Sequence, residues 1–280
     1  MAIATEPLVS PPGVPDSPAA GERLVSVEDL SLSYGRGRGA KEVLRDIRLE
    51  LAEREFVCVL GASGCGKTSL LRLLAGYEQP TSGRVRVLER EKAEPRSEVG
   101  VVFQHANLFP WLTVQRNVEF GLRMQGVGRR ERRERAADIL RRVGLEDASS
   151  SLPYQLSGGM KQRAAIARTL AAEPRLILMD EPFGALDAIT RENLQEMLRG
   201  LWLTGRQAIF FITHDVDEAL LLSTRILVMS GSPGRIAVDM PNPLFSDEEP
   251  LSEIRKRREF GVLRDRLVGS LKAPAGAGTR

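Results

Sequence analysis

Three short stretches of the chain hold residue types at spacings that fit phosphate chemistry. In Gly61-Ala62-Ser63-Gly64-Cys65-Gly66-Lys67-Thr68, followed by Ser69, glycines bracket a turn that ends in a lysine and a hydroxyl. Such a turn curls until its backbone N–H groups face phosphate oxygens, with the lysine between two phosphates and the hydroxyl toward Mg2+. Chance gives this pattern in roughly one chain of this length in a hundred. The second stretch is Asp180-Glu181, at the tip of the apolar run Leu176-Ile177-Leu178-Met179. Two carboxylates at the end of a buried strand are destabilising unless a cation or a reaction uses them. Asp180 suits Mg2+ held largely through water. Glu181 suits orienting and deprotonating an attacking water, although a glutamate that merely caps the next turn is the competing assignment. The third stretch, Leu156-Ser157-Gly158-Gly159-Met160, opens a helix whose N–H groups can grip an anion.

These groups need elements to hold them. Phe56-Val57-Cys58-Val59-Leu60 runs straight into the glycine-rich turn and reads as a strand buried on both faces, as in a parallel sheet. Like runs are the one before Asp180, Ile209-Phe210-Phe211-Ile212, and Ile226-Leu227-Val228-Met229. Helical patterns at 69–74, 160–170 and 194–201 lie between them, and this alternation predicts an α/β fold. Upstream, Val25, Val27, Leu30, Leu32 and Tyr34 predict a strand with a small irregularity. Ile47, Leu49 and Leu51 predict another, with Gly35–Gly39 as a flexible turn between the two. Residues 105–172 read as a helical lobe inserted into the α/β core. Within it, the arginines of 129–142 interleave with Glu131, Glu134 and Asp138, so a solvated amphipathic face is favoured over a nucleic-acid or lipid patch. Phe260, Leu263, Leu267 and Leu271 predict a C-terminal helix docked on the core. Five prolines in residues 1–21 predict a disordered tail, and 273–280 a frayed end.

Bulk properties narrow the partners only a little. A formal net charge of +3 over 280 residues is too small to argue for nucleic acid. Cys58 and Cys65 fall in a buried strand and the glycine-rich turn, so a disulfide is not expected and a reducing compartment is. No secretory leader is visible, and the apolar runs are far short of the roughly 20 residues of a spanning helix.

The Ser157-Gly158-Gly159 stretch just upstream of the acidic strand, taken with the glycine-rich turn, closely resembles the signature of ABC ATPases. The resemblance covers nearly all of 24–240, with the motifs in the family's order. It implies a P-loop NTPase core over 22–240 with an N-terminal antiparallel β subdomain and an inserted α-helical subdomain at about 105–172. Residues 1–21 precede it as a tail, and 241–280 follow as a helical extension. It implies ATP and Mg2+ as ligands and a homodimer in which each signature, Leu156 to Met160, acts on the partner's nucleotide. By position, Tyr34 resembles the adenine-stacking aromatic, although a strand-end core tyrosine stays open. Gln104 resembles the glutamine that senses Mg2+ and the attacking water, Asp187 the acid at the dimer contact, and His214 the switch histidine on the γ-phosphate. Asp180 and Thr68 fall at the family's Mg2+ positions and Glu181 at its base. Met160 departs from the usual glutamine. His105 is left as a surface residue.

Asn107-Leu-Phe-Pro110-Trp111 and Asn117-Val-Glu-Phe-Gly-Leu, together with Glu181-Pro-Phe-Gly-Ala-Leu-Asp187 and Ser230-Gly-Ser-Pro-Gly-Arg235-Ile, are similar to the nitrate, sulfonate and taurine import ATPases. ATPases serving thiamine-precursor pyrimidines share much of this. That resemblance implies membrane permease subunits as partners, an extracytoplasmic solute-binding protein indirectly, and a peripheral place on the cytoplasmic face of the cell membrane. Phe109, Pro110 and Trp111 would meet the permease, with a core role for Trp111 equally open. No nucleic acid is expected, because the interval between phosphate loop and signature has no room for a long coiled coil and holds no cysteine cluster.

Overall fold

The computed structural model describes residues 22–35, 37–91, 95–205 and 207–272. The expected tail at 1–21 and frayed end at 273–280 lie outside the described residues. Two sheets carry the fold. The first pairs β1 (Arg23–Tyr34) with β2 (Lys41–Ala52), β4 (Ser82–Val87) and β5 (Arg90–Glu91) in the antiparallel order β2-β1-β4-β5. The expected irregularity in β1 is a set of register shifts near Asp29, whose φ of 47° breaks the pleat. The turn expected at Gly35–Gly39 contains a short 3-10 segment, Gly37–Gly39.

The second sheet is built from the apolar runs. It contains β3 (Phe56–Gly61), β6 (Val99–Val102), β7 (Leu176–Asp180), β8 (Ala208–Ile212), β9 (Arg225–Ser230) and β10 (Arg235–Pro241), ordered β10-β9-β3-β8-β7-β6. All neighbours run parallel except β10, which is antiparallel to β9. The period-two pleat sends alternate side chains to opposite layers. Val57, Val59, Leu178, Phe210 and Leu227 pack toward the antiparallel sheet and α1 (Lys67–Leu74). Phe56, Cys58, Ile177, Phe211 and Val228 pack toward α5 (Ala188–Thr204), α6 (Val216–Leu222), α7 (Leu251–Lys256) and α8 (Arg258–Lys272). Apolar burial on both faces explains why these strands read as continuous runs. Phe260, Leu263, Leu267 and Leu271 do dock α8 on this second layer.

The inserted lobe has its own small core. In it α2 (Val114–Met124), α3 (Arg129–Arg142) and α4 (Gly158–Ala171) meet through Val118, Leu122, Ala136, Leu140, Ala164 and Ala167. The arginine run is a helix with one buried face, formed by Ala136, Ile139 and Leu140. Both cysteines are free and buried. No helix among the described residues is long and apolar enough to cross a membrane.

Candidate functional site

In a parallel sheet every strand delivers its following loop to the same edge, so groups far apart in sequence meet there. The phosphate loop follows β3, Asp180 and Glu181 end β7, His214 follows β8, and Gln104 follows β6. β3 lies beside β8, β8 beside β7 and β7 beside β6, which makes the four loops neighbours.

The loop itself is shaped by glycine. Gly64 and Gly66 take φ of 82° and 93°, a left-handed conformation that L side chains rarely adopt. Gly66 then hands the chain to α1, whose first residue is Lys67. Lys67 Nζ donates to the carbonyls of Gly61 at 2.6 Å and Ala62 at 3.1 Å, folding the ammonium back over the loop. Cys65 is buried, and burial raises its thiol above the usual range, so it packs the loop and offers no nucleophile. Ala62, Ser63 and Gly64 are exposed at the mouth of the turn.

Thr68 and Asp180 come together across 112 residues of chain: Thr68 Oγ1 donates to Asp180 Oδ1 at 3.3 Å. Burial raises the Asp180 carboxyl above the ordinary aspartate value, while the Thr68 hydroxyl bond acts the other way. A half-buried carboxylate beside a hydroxyl is a pair of hard oxygen donors, which fits Mg2+. No cluster of three or more His, Cys, Asp or Glu side chains among the described residues offers a fuller cage.

Glu181 leaves the strand with φ of 45°, and its N–H donates to the Ile212 carbonyl at 2.9 Å. A left-handed glutamate costs about 1–2 kcal/mol, and this turn aims the carboxylate at the end of β8. There Glu181 Oε2 meets His214 Nδ1 at 3.0 Å. A carboxylate only accepts, so Nδ1 carries the proton and Nε2 is left to face outward. Gln104 joins them, since a Cβ at Gly184 would stand 3.3 Å from Gln104 Nε2 and 3.6 Å from Glu181 Oε2. His105, beside Gln104, is exposed.

Tyr34 is 42% exposed and therefore no core tyrosine. Its hydroxyl reaches Ser69 Oγ at 3.4 Å and Glu78, which places the ring beside the first turn of α1. Ser157 caps α4, accepting from the Met160 N–H at 3.3 Å. Gly159 lets the two helix ends approach closely, since a Cβ there would meet Thr190 Cγ2 at 2.4 Å. Asp187 caps α5 by accepting from the Thr190 N–H at 3.0 Å, and that backbone bond holds its carboxyl below the usual range. The ends of α4 and α5 are therefore packed together. Leu156 is buried and Met160 half-buried, both packed in the lobe core, while Gly158 is exposed. An apolar side chain thus stands where the resemblance called for glutamine.

Two sets of side chains escaped the sequence reading. Buried Glu218 on α6 accepts from Thr213 Oγ1 at 2.6 Å and Gln195 Nε2 at 3.4 Å. Arg191 lies 3.9 Å from Glu218, 3.6 Å from Asp215 and 3.0 Å from the Leu186 carbonyl, so it spans the loops that hold His214 and Asp187. The other set ties the lobe to the Gln104 loop. Gln162 donates to the Phe103 carbonyl at 3.2 Å, and Arg168 donates to Asn107 at 2.7 Å and Ala106 at 3.3 Å. Buried Asn117 holds the carbonyls of Phe109, Leu112 and Thr113, fixing the loop that presents Trp111. Trp111 is 72% exposed, which removes the core assignment.

Comparison with known proteins bears on this arrangement directly. The sequence model of the ABC transporter family matches residues 44–184. The chain belongs to the ABC transporter family. It is 47% identical over 255 residues to a taurine import ATP-binding protein of Sinorhizobium fredii, covering 89% of this chain and 96% of that one. It is 44% identical over 252 residues to a nitrate import ATP-binding protein of Synechocystis, covering 89% and 95%. Among solved structures, a dimeric ATP-binding cassette in a post-hydrolysis state with ADP and Pi matches at a TM-score of 0.70. The two are 31% identical, over 79% of this chain and all of that one. The cbiO1 subunit of a Clostridium perfringens ABC transporter complex matches at 0.72, with 27% identity over 88% and 99%. The ABC-type fold expected from the motifs is thus the fold observed: an antiparallel β layer, a parallel P-loop core and an inserted helical lobe.

Proposed function

We propose that this ABC protein binds and hydrolyses ATP as a homodimer and so drives uptake of a small anion such as an aliphatic sulfonate, taurine or nitrate. One observation carries the chemistry: Glu181, His214 and Gln104 converge on the sheet edge that also bears the phosphate loop. Tyr34 stacks on the adenine beside Ser69. The backbone N–H groups of 61–66 cradle the phosphates, and Lys67 leaves its loop carbonyls for the β- and γ-phosphates. Thr68, Asp180 and Gln104 would hold Mg2+, which when bound would offset charge on the phosphate oxygens.

Glu181 Oε accepts a proton from water as the water oxygen attacks the γ-phosphorus in line. The bond from that phosphorus to the bridging oxygen breaks, and ADP leaves with the electron pair. His214, oriented through Nδ1 by Glu181, donates from Nε2–H to a γ-phosphate oxygen, which takes a ring protonated on both nitrogens. Lys67 stabilises the charge on the transferred group. Ser157, Gly158 and Gly159 of the partner cover the same phosphate, and Asp187 lies at the contact between the two copies. Hydrolysis removes the group both halves grip, and the dimer opens. Phe109, Pro110 and Trp111 pass this motion to a permease at the cytoplasmic face of the membrane, which an extracytoplasmic binding protein loads. No nucleic acid takes part. The anion assignment follows the taurine and nitrate relatives.

Glu181→Gln tests the reading. Nucleotide binding should persist while steady-state hydrolysis falls by about 10²-fold or more. Turnover near wild type would remove Glu181 from the role of base. Detergent extraction should bring down a multi-spanning membrane protein with the native chain; ribosomes or DNA instead would end the transport reading.

A further inference from the structure

The turn that joins β9 to β10, Gly231–Gly234, supplies none of the groups at the sheet edge, yet it packs against the phosphate loop. Strand order puts it there: β9 is the neighbour of β3, and Met229 pairs with Gly61, the residue that hands β3 to the loop. Gly234 is buried. A Cβ on it would overlap the Cys65 carbonyl oxygen and stand 3.0 Å from that carbonyl's carbon. The obstacle is backbone in a close-packed interior, so it cannot swing aside as a flexible side chain would. Gly234 is also tied to the antiparallel sheet. Its N–H donates to the Val43 carbonyl at 2.8 Å, and its carbonyl accepts from the Arg45 N–H at 3.0 Å.

Turn geometry does not account for a glycine at this position. Gly231, with φ of 89°, needs one for its left-handed backbone, whereas Gly234 has no positive φ. What excludes a side chain at Gly234 is the Cys65 backbone. The same stretch of β2 touches the loop too, since a Cβ on Gly66 would stand 3.2 Å from the Val43 carbonyl oxygen. Loop, turn and β2 therefore meet in one three-way backbone contact. Its consequence for a phosphate follows from the peptide plane: the Cys65 carbonyl and the Gly66 N–H belong to one rigid unit, so displacing the first re-aims the second. Glu181 and His214 are spared, because they follow β7 and β8, which β3 separates from β9.

We infer that Gly234 is a positioning residue of the nucleotide site: by carrying no side chain it lets the β9–β10 turn seat the phosphate loop against β2, and so sets the affinity for the phosphates of ATP. This rests on the ATP reading above and adds a determinant that touches no nucleotide.

The test measures basal ATP hydrolysis of the full chain against ATP concentration. Gly234→Ala should raise KM about tenfold and leave kcat within about twofold of wild type, because grip on the phosphates is lost equally from bound ATP and from the transition state. A general loss of fold does the opposite, lowering kcat with the fraction of active chains at constant KM. In nucleotide-free protein, amide exchange over 62–68 should rise in the variant while β7 and β8 stay as in wild type. Arg235→Ala removes only the exposed ion pair with Asp46, 3.3 Å apart beside the turn, and should move KM by less than about twofold. Should Gly234→Ala not fold, one glycine inserted between Gly231 and Ser232 loosens the seat without adding a side chain, and should raise KM about threefold. An unchanged KM in whichever variant folds overturns the inference. So does a fall in kcat at constant KM, or a rise in KM for Arg235→Ala as large as that for the glycine variant. A wild-type chain that neither binds nor hydrolyses ATP sinks the proposed function, and exchange over 62–68 then still decides whether the turn seats the loop.

Discussion

At the carboxyl edge of the parallel sheet, Lys67, Asp180 and Glu181 stand directly on strands or helices whose apolar side chains are fully buried. Ser157 opens α4, which packs in the lobe core, reaches the sheet core through Ile166, and is joined to the Gln104 loop by polar bonds from Gln162 and Arg168. The first arrangement fixes atoms by packing that has one solution. The second adds to its packing a few hydrogen bonds worth about 1 kcal/mol each, which a change at Gln104 can break and remake. Chemistry needs the rigid edge, while passing motion to a partner needs the lobe to shift as a unit.

The comparison breaks most severely at Lys67. Lys67→Ala removes the only ammonium at the loop and should weaken ATP binding about a hundredfold or more. A fluorescent-nucleotide titration reads this, and the melting temperature should barely move because the strands keep their cores. Retained affinity would mean that the backbone cradle alone binds phosphate.

Glu218 probes the rigid half through pH. Burial pushes its carboxyl up to about 7, helped by Asp215 and opposed by the Thr213 bond, Arg191 and Gln195. Its folded pKa lies above its unfolded one, so the stability it confers is full below about 4.5 and is lost as pH rises through about 7. Glu218→Gln keeps the acceptor for Thr213 and removes the titration. Relative to wild type it should gain stability as pH goes from 5 to 8, by up to about 3 kcal/mol. Urea unfolding at several pH values checks this; a difference flat across the range would show that the buried acid does not titrate there.

The phosphate loop and the acidic strand tip were legible in the sequence because each is one strand and one turn, with its chemistry in adjacent residues. Of the five parallel strands, β3, β7, β8 and β9 were legible for the same reason, since burial on both faces writes a continuous apolar run. β4 was not, because its short span turns only Val85 and Val87 inward and leaves Arg84 and Arg86 outside. Nor was the Arg191–Glu218 link, which exists only where α5 packs beside α6. Trp111 shows the limit most clearly, because a tryptophan after proline reads equally as anchor or as core until Asn117 is seen holding its loop at the surface.

Ser157→Ala tests the lobe from its catalytic end. Loss of the cap on α4 should cost about 1 kcal/mol of stability. Hydrolysis should fall about tenfold while ATP affinity of the single chain stays unchanged, because the proposed function assigns the serine to the partner's nucleotide. A drop in single-chain affinity would place Ser157 on its own ATP instead.

Gln162→Leu is the mildest change and the sharpest on the contrast between the two halves. It removes one bond, from Nε2 to the Phe103 carbonyl, and nothing that touches phosphate. The loss of about 1 kcal/mol corresponds to about 2–4 °C in melting temperature for a chain of this size. Because Arg168 still holds Ala106 and Asn107, the loop should loosen without detaching. Amide hydrogen exchange should therefore rise across 103–113 and remain unaltered in β3 and β7, with basal hydrolysis close to wild type. If exchange rises equally in β3 and β7, lobe and sheet open as one unit, and a lobe that moves against a fixed catalytic edge is ruled out.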